Sequence, residues 1–256
     1  MLQFNARLGR LRIQADVRAL AAGALLLALL LALGFWQLSR AAEKSALQAR
    51  WIARSDLPSV TPEVLLSEPD RSQHADRLLG WRGRIESDRY LLLDNRIHQG
   101  RVGYHVVALA AADEFLVPVN LGWIAGDPAR RTVPVPVFAS GDVDIEGRVY
   151  VPTAPTLMLV EQVAPKTLPA LVQTLYWEDW QRTLSTLADA PLFPYEVRID
   201  PASLLALRAD WPVVNQSNAT HIGYALQWFG MALVLLIIAL VRATNVTELV
   251  RARRHR

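Results

Sequence analysis

The chain contains no cysteine. That absence excludes disulfides, thiolate metal sites, covalent c-type haem attachment and the Cys-x-x-Cys chemistry of redox and copper-handling factors. Gly-x-Ser-x-Gly, His-Glu-x-x-His and phosphate-binding glycine loops are also missing, so hydrolase, zincin and nucleotide-binding chemistries have no motif to stand on. No two histidines have the spacing His-x-x-x-His, which leaves His74, His98 and His105 as surface or core residues. The acidic pairs Asp113-Glu114 and Glu178-Asp179 read as solvated charges at turns or helix starts. No enzyme is expected.

Proline is common, with 15 residues, yet absent from two uncharged runs, Ala19–Leu38 and Ile222–Val241. Each run is twenty residues long, and at about 1.5 Å per residue each spans roughly the 30 Å hydrocarbon core of a bilayer. Without proline both can run as unbroken helices whose backbone groups are satisfied internally.

Charge then sets an orientation. Residues 1–18 carry net +3 and residues 242–256 net +4, leaving −4 between them in a chain of +3 overall. Short Arg/Lys-rich ends stay on the cytoplasmic side while long loops cross regardless of their own charge. The expected organisation is a cytoplasmic tail over 1–18, transmembrane helices over 19–38 and 221–241, an extracytoplasmic domain over 39–220, and a second cytoplasmic tail over 242–256. The alternative for the first run is a cleaved signal peptide, but its apolar stretch exceeds a signal h-region and "GFWQLSR" puts bulky residues near any cleavage point. The basic surplus suits anionic lipid headgroups rather than nucleic acid.

Between the spans the pattern changes. Helix formers continue to Pro58, and "PSVTPEVLLSEPD" reads as a linker with a helical turn. "VDIEGRVYV" alternates apolar and polar residues as a half-buried strand does, and "YLLLD", "GYHVVALA", "FLVPVNLGWI" and "LMLVEQV" are further strand candidates. Pro118 argues for an edge or a bulge. Turn signals at Asp94-Asn95, Gly100, Gly126-Asp127-Pro128 and Gly141-Asp142 predict a mainly antiparallel sheet or small barrel. Trp180, Leu184 and Leu187 share a helical face, and Asp200-Pro201 would start a short helix before Trp211. The expected fold class is an α+β membrane protein, two spans flanking a β domain with short helices.

The chemistry-bearing residues gather at the two outer ends of the spans. Trp36, Gln37 and Arg40 close the first, and His221, Tyr224, Gln227 and Trp228 open the second. Opposite chain directions put both sets at one depth, and Gly34, Gly223 and Gly230 would let the helices approach closely. Tyrosine and tryptophan also form ordinary interfacial belts. An ionisable group at the lip of a span is a functional-site hypothesis, and imidazole is a common haem ligand. At i, i+3 and i+7, His221, Tyr224 and Trp228 share a face that could hold an apolar macrocycle, with Arg40 near a propionate. "LVPVNLGW" and "LLLDNR" offer either a docking surface or plain strand ends.

In order along the chain, "GFWQLSRAAEK", "LLLDNR" with "GRVGYHVV", "VPVNLGW", "IEGRV", "DWPVVN" and "HIGYALQWF" resemble the surfeit locus protein 1 family of cytochrome c oxidase assembly factors, over about residues 34–241. The resemblance implies help in building haem-copper oxidase by binding haem A and presenting it to the catalytic subunit. It places the family's haem-ligand histidine at His221 and its Trp-Gln and Arg at Trp36, Gln37 and Arg40. It implies the oxidase catalytic subunit and haem A synthase as partners, and a bacterial inner membrane with the central domain in the periplasm. One departure stands out: where the family commonly reads Asn-Arg-Gly-Trp, this chain has Asn120-Leu121-Gly122-Trp123. The competing reading is a haem-free scaffold that grips oxidase subunits through its periplasmic domain.

Overall fold

The computed structural model describes residues 3–8, 11–68, 70, 73–152, 164–175, 177–212 and 218–245. In chain order the elements are β1 (Gln3–Leu8), β2 (Leu11–Asp16), α1 (Val17–Ser55), α2 (Pro62–Ser67), β3 (Leu78–His98), β4 (Arg101–Ala112), β5 (Phe115–Ala125), β6 (Gly141–Tyr150), β7 (Ala170–Val172), α3 (Trp177–Ala188), β8 (Glu196–Ile199) and α4 (Asn218–Ala243). The strand expected over 157–163 and the basic tail past residue 245 lie outside the described residues. Two compact units form, Met1–Ala49 with Val213–Arg256, and Arg50–Pro212.

The first unit holds the apolar helices. Within the stretch expected as a tail, β1 and β2 pair as an antiparallel hairpin, a feature that the charge pattern did not signal. Asp16 caps α1, its carboxylate accepting the Arg18 N–H at 2.7 Å. Both α1 and α4 are long and apolar enough to cross a membrane, and only 11% of the most apolar window of each is buried. A core helix of a soluble domain would be mostly covered, so this exposure is compatible with a membrane protein. The helices touch along narrow stripes: Leu30, Gly34 and Ala41 are buried on α1, Ala225 and Ala232 on α4. Small residues let the backbones approach.

The second unit is built from strands. β3 pairs antiparallel with β4 and β6, and β4 antiparallel with β5. β8 lies between β5 and β6, parallel to the first and antiparallel to the second. These pairings return to β3, so five strands close on one another, and β7 adds to β3 in parallel over Leu91–Leu93. The sheet is therefore mixed, which corrects the expectation of a mainly antiparallel one. The reason is the crossover: the chain leaves β7, passes through α3 and re-enters as β8, and a strand that returns by such a connection can lie parallel to its neighbour. Turn signals such as Gly100 predict only the antiparallel part.

Alternation along β4 divides the core in two. Val106, Ala108 and Ala110 face the barrel interior with Val117, Val119, Ile145 and Val197. Val107 and Leu109 face outward, against Leu91, Leu93, Leu184 and Leu192. Both faces of β3 and β4 are thus covered, which explains runs such as "VVALA" that are apolar at every position. Pro118 is accommodated because β8 pairs with β5 only at Val119 and Asn120. The last turns of α1 join this unit through Arg148, which donates to the Ser55 hydroxyl at 2.9 Å and lies 4.5 Å over the Trp51 ring. The helix stops at Ser55, three residues before Pro58.

The helix expected after Asp200-Pro201 is instead a series of turns. Asp200 does accept the Ala202 N–H at 2.8 Å, but Leu207 donates to the Leu121 carbonyl and Trp123 to the Arg208 carbonyl. Pairing to the end of β5 competes with helix and wins. Because α3 is held by the outer cluster, with Leu184 fully buried, Leu184→Ala is expected to cost about 2–5 kcal/mol of stability. Urea unfolding of the full chain in detergent, followed by tryptophan emission, measures this loss.

Candidate functional site at the paired helices

Close approach of α1 and α4 comes first. A Cβ at Gly34 would lie 2.5 Å from the Phe229 ring, so any larger residue would force that ring, and the packing around it, to move. Phe35 meets the same ring edge-on at 5.3 Å between centroids. Gly223 and Gly230, expected to share this role, have nothing within 4 Å and do not line the contact.

Three residues beyond Gly34 on α1 lies Gln37, whose Oε1 is 2.8 Å from His221 Nδ1. A carboxamide oxygen only accepts, so Nδ1 carries the proton and the Nε2 lone pair is left available. Further along the same seam, Asn218 donates to the Ser45 hydroxyl at 3.0 Å. His221 and Gln37 are half-buried. Arg40 binds Glu43 at 2.6 Å, with both side chains about half exposed, and sits 6.0 Å over the Trp36 ring. An exposed pair of this kind contributes little to stability and exchanges partners readily.

The structure therefore joins Gln37 to His221 and Trp36 to Arg40. Tyr224 is exposed and Trp228 half-buried on α4, within the face that carries His221. Gln227 is placed elsewhere: it lines an apolar groove with Leu26, Leu30, Gly230 and Met231. Sequence reasoning named Gln37 and His221 separately but had no means to foresee their direct bond, or Glu43 as the partner of Arg40. Among the described residues, no three His, Asp or Glu side chains gather as a metal-binding group.

A second polar cluster lies on the barrel. The ladder pairs Val106 with Gly122 and Val107 with Asn120, so Leu121 is the extra residue of a bulge, and Gly122 has φ +117°. Asn120 Oδ1 accepts the Gly122 N–H at 3.1 Å. That fixes Nδ2 toward Glu196 Oε1 at 2.8 Å and His105 Nδ1 at 3.3 Å. Trp123 donates from Nε1 to the Arg96 carbonyl at 2.8 Å. Asn120 and Trp123 are buried at 1% and 2% exposure, so neither serves as a docking surface. Leu121 is fully buried inside the barrel; the position where the family's usual pattern has arginine offers nothing here to a partner or a propionate.

The SURF1 family model matches residues 24–233, well over half of the sequence and including parts of both apolar helices. The chain belongs to the SURF1 family. Comparison with curated proteins returns no match. The SURF1 family is generally linked to cytochrome oxidase assembly and is a family of assembly factors rather than a known enzyme class.

Burial, with Arg96, Arg198 and His98 adding repulsion, pulls the His105 imidazole down to about 3. Its folded pKa thus lies below the unfolded value of 6.5. Above 6.5 both states are neutral and no effect appears; as pH falls below 6.5 only the unfolded chain takes up the proton, and stability drops by up to about 1.4 kcal/mol per pH unit. Urea midpoints measured from pH 7 to pH 5 should fall for the native chain and fall less for His105→Gln.

Proposed function

We propose that this chain serves cytochrome oxidase assembly by holding haem A at the outer ends of two membrane-spanning helices and offering it to the catalytic subunit. The observation that carries this reading is the Gln37–His221 hydrogen bond at 2.8 Å. Histidines that ligate metals characteristically donate their other ring N–H to an oxygen, which fixes the tautomer and the ring orientation. Gln37 supplies that oxygen, and His221 Nε2 is left with a free lone pair. The donor set suits haem iron, for which one imidazole is a sufficient protein ligand.

The remaining candidates fit around this pair. Trp36, Tyr224 and Trp228 provide aromatic walls, and Arg40 provides a guanidinium that can leave Glu43 for a propionate. Gln227, which lines the apolar groove with Leu26 and Leu30, is left out of this pocket. When bound, haem A would be the cargo of the assembly step, and the role of His221 is to hold it until another ligand replaces the imidazole. The half-exposed setting of His221 supports such exchange, since a fully enclosed ligand would release slowly. A bacterial inner membrane, cytoplasmic termini and a periplasmic barrel complete the proposal, with the charge distribution of the two ends as support. Haem A synthase is a proposed partner.

The test is optical and pyridine-haemochrome analysis of protein purified from cells that make haem A. The native chain should carry stoichiometric haem, and His221→Ala should lose it or shift its spectrum. Gln37→Leu, which keeps the imidazole but removes its orienting oxygen, should weaken haem affinity about 10–100-fold. Equal haem and identical spectra in native protein and His221→Ala would remove His221 as the ligand. A native chain free of haem that still copurifies with the catalytic subunit would favour the scaffold role.

A further inference from the structure

Away from the small-residue stripe of Ala225 and Ala232, α4 carries a second seam, one side of which borders a groove against α1. Gly223, Gln227, Gly230, Val234, Ile237 and Val241 recur at intervals alternating between four and three, the spacing that keeps a helix stripe facing a parallel partner. At 100° per residue they fall within an arc of about 80°, roughly opposite the stripe of His221, Ala225, Phe229 and Ala232. The seam is uncovered: Val234, Ile237 and Val241 are 55%, 50% and 44% exposed, and Gly223 and Gly230 have nothing within 4 Å. Gln227 sits between the two glycines with its carboxamide exposed and no hydrogen-bond partner among the described residues. With Gly230 and Val234 it also lines the groove of about 730 Å³ that reaches Leu26 and Leu30.

We propose that this seam binds the α4 helix of a second copy of the chain, giving a parallel dimer with Gln227 meeting Gln227 of the partner subunit. The inference rests on the membrane placement given above but not on haem. About nine ångströms below His221 along the helix axis, Gln227 lies in the apolar stretch, where a carboxamide without a partner is costly. Lipid chains offer it neither donor nor acceptor. A carboxamide both donates and accepts, so an identical one at the same depth satisfies it reciprocally. Two copies inserted in the same direction put residue 227 at the same depth automatically, and a two-fold axis makes the contact self-complementary. The flanking glycines let the backbones come close enough for these side chains to meet. A single polar residue in an otherwise apolar seam is also how helix pairs fix register and partner number.

The cysteine-free sequence makes the test direct. Val234→Cys lies on the seam, whereas Leu236→Cys is 43% exposed but about 160° away around the helix. In native membranes treated with copper phenanthroline, V234C should form a disulfide-linked dimer and L236C should remain monomeric. Adding Gln227→Leu to V234C should lower the cross-linked fraction about three- to thirty-fold, and Gln227→Asn should restore most of it. A chain that pellets with membranes yet gives no V234C dimer, or links equally at both positions, overturns the dimer alone. So does a V234C product linked to a different protein, or Gln227→Leu without effect. A chain recovered outside the membrane pellet overturns the membrane placement and the dimer with it.

Discussion

Gly34 has no side chain, and the Phe229 ring occupies the space where one would begin. The geometry of the helix unit depends on that contact. Helix crossings in an apolar environment gain nothing from hydrophobic burial, since lipid is as apolar as the side chains, and are set by how closely the backbones can approach. Gln37 is three residues along α1 from Gly34, and its short reach to His221 at 2.8 Å exists only at the spacing that Gly34 allows. A methyl group at residue 34 would act on the imidazole without touching it.

The barrel solves a different problem by a related means. Closing five strands requires somewhere to bend, and β5 bends where Leu121 is inserted into the ladder opposite β4. Leu121 faces the interior in step with Val117 and Val119, which leaves Asn120 on the other face, where its amide ties together His105, Glu196 and the Gly122 backbone. Polar groups buried this way are stable only when each is satisfied. The Asn120-Leu121-Gly122-Trp123 run is thus a structural corner.

Much of this was legible in the residues. Uncharged twenty-residue runs without proline announce α1 and α4, and alternation in "VDIEGRVYV" announces β6, because each pattern reports a local periodicity that the environment reinforces. Parallel pairing of β7 with β3 and of β8 with β5 was not legible. It depends on where a crossover lands, which no local period encodes. The helix expected after Pro201 failed for a similar reason: the Asp200 cap forms, but a long-range backbone pairing to Leu121 and Trp123 outcompetes it. In the site, residue types and depth pointed to His221 and Gln37 separately. Their bond follows from a rotation of α1 against α4 set by Gly34, and nothing in the sequence distinguished Gly34 in this respect from Gly223 or Gly230.

The two units each place a carboxamide against an imidazole, with opposite polarity. At His105 the amide nitrogen of Asn120 faces Nδ1, so the ring accepts there and its proton resides on Nε2. That histidine is held neutral among Arg96, Arg198 and His98, and it has no lone pair left for a metal. At His221 the amide oxygen of Gln37 faces Nδ1, so the proton resides on Nδ1 and Nε2 is the free base. Two histidines of identical intrinsic chemistry are thereby separated, one into a buried tie within a barrel wall and one into a candidate ligand at a helix end. The choice is made by which end of a neighbouring amide points at the ring. In the barrel the Gly122 N–H fixes that choice by occupying Asn120 Oδ1, which leaves only the NH₂ group to face His105.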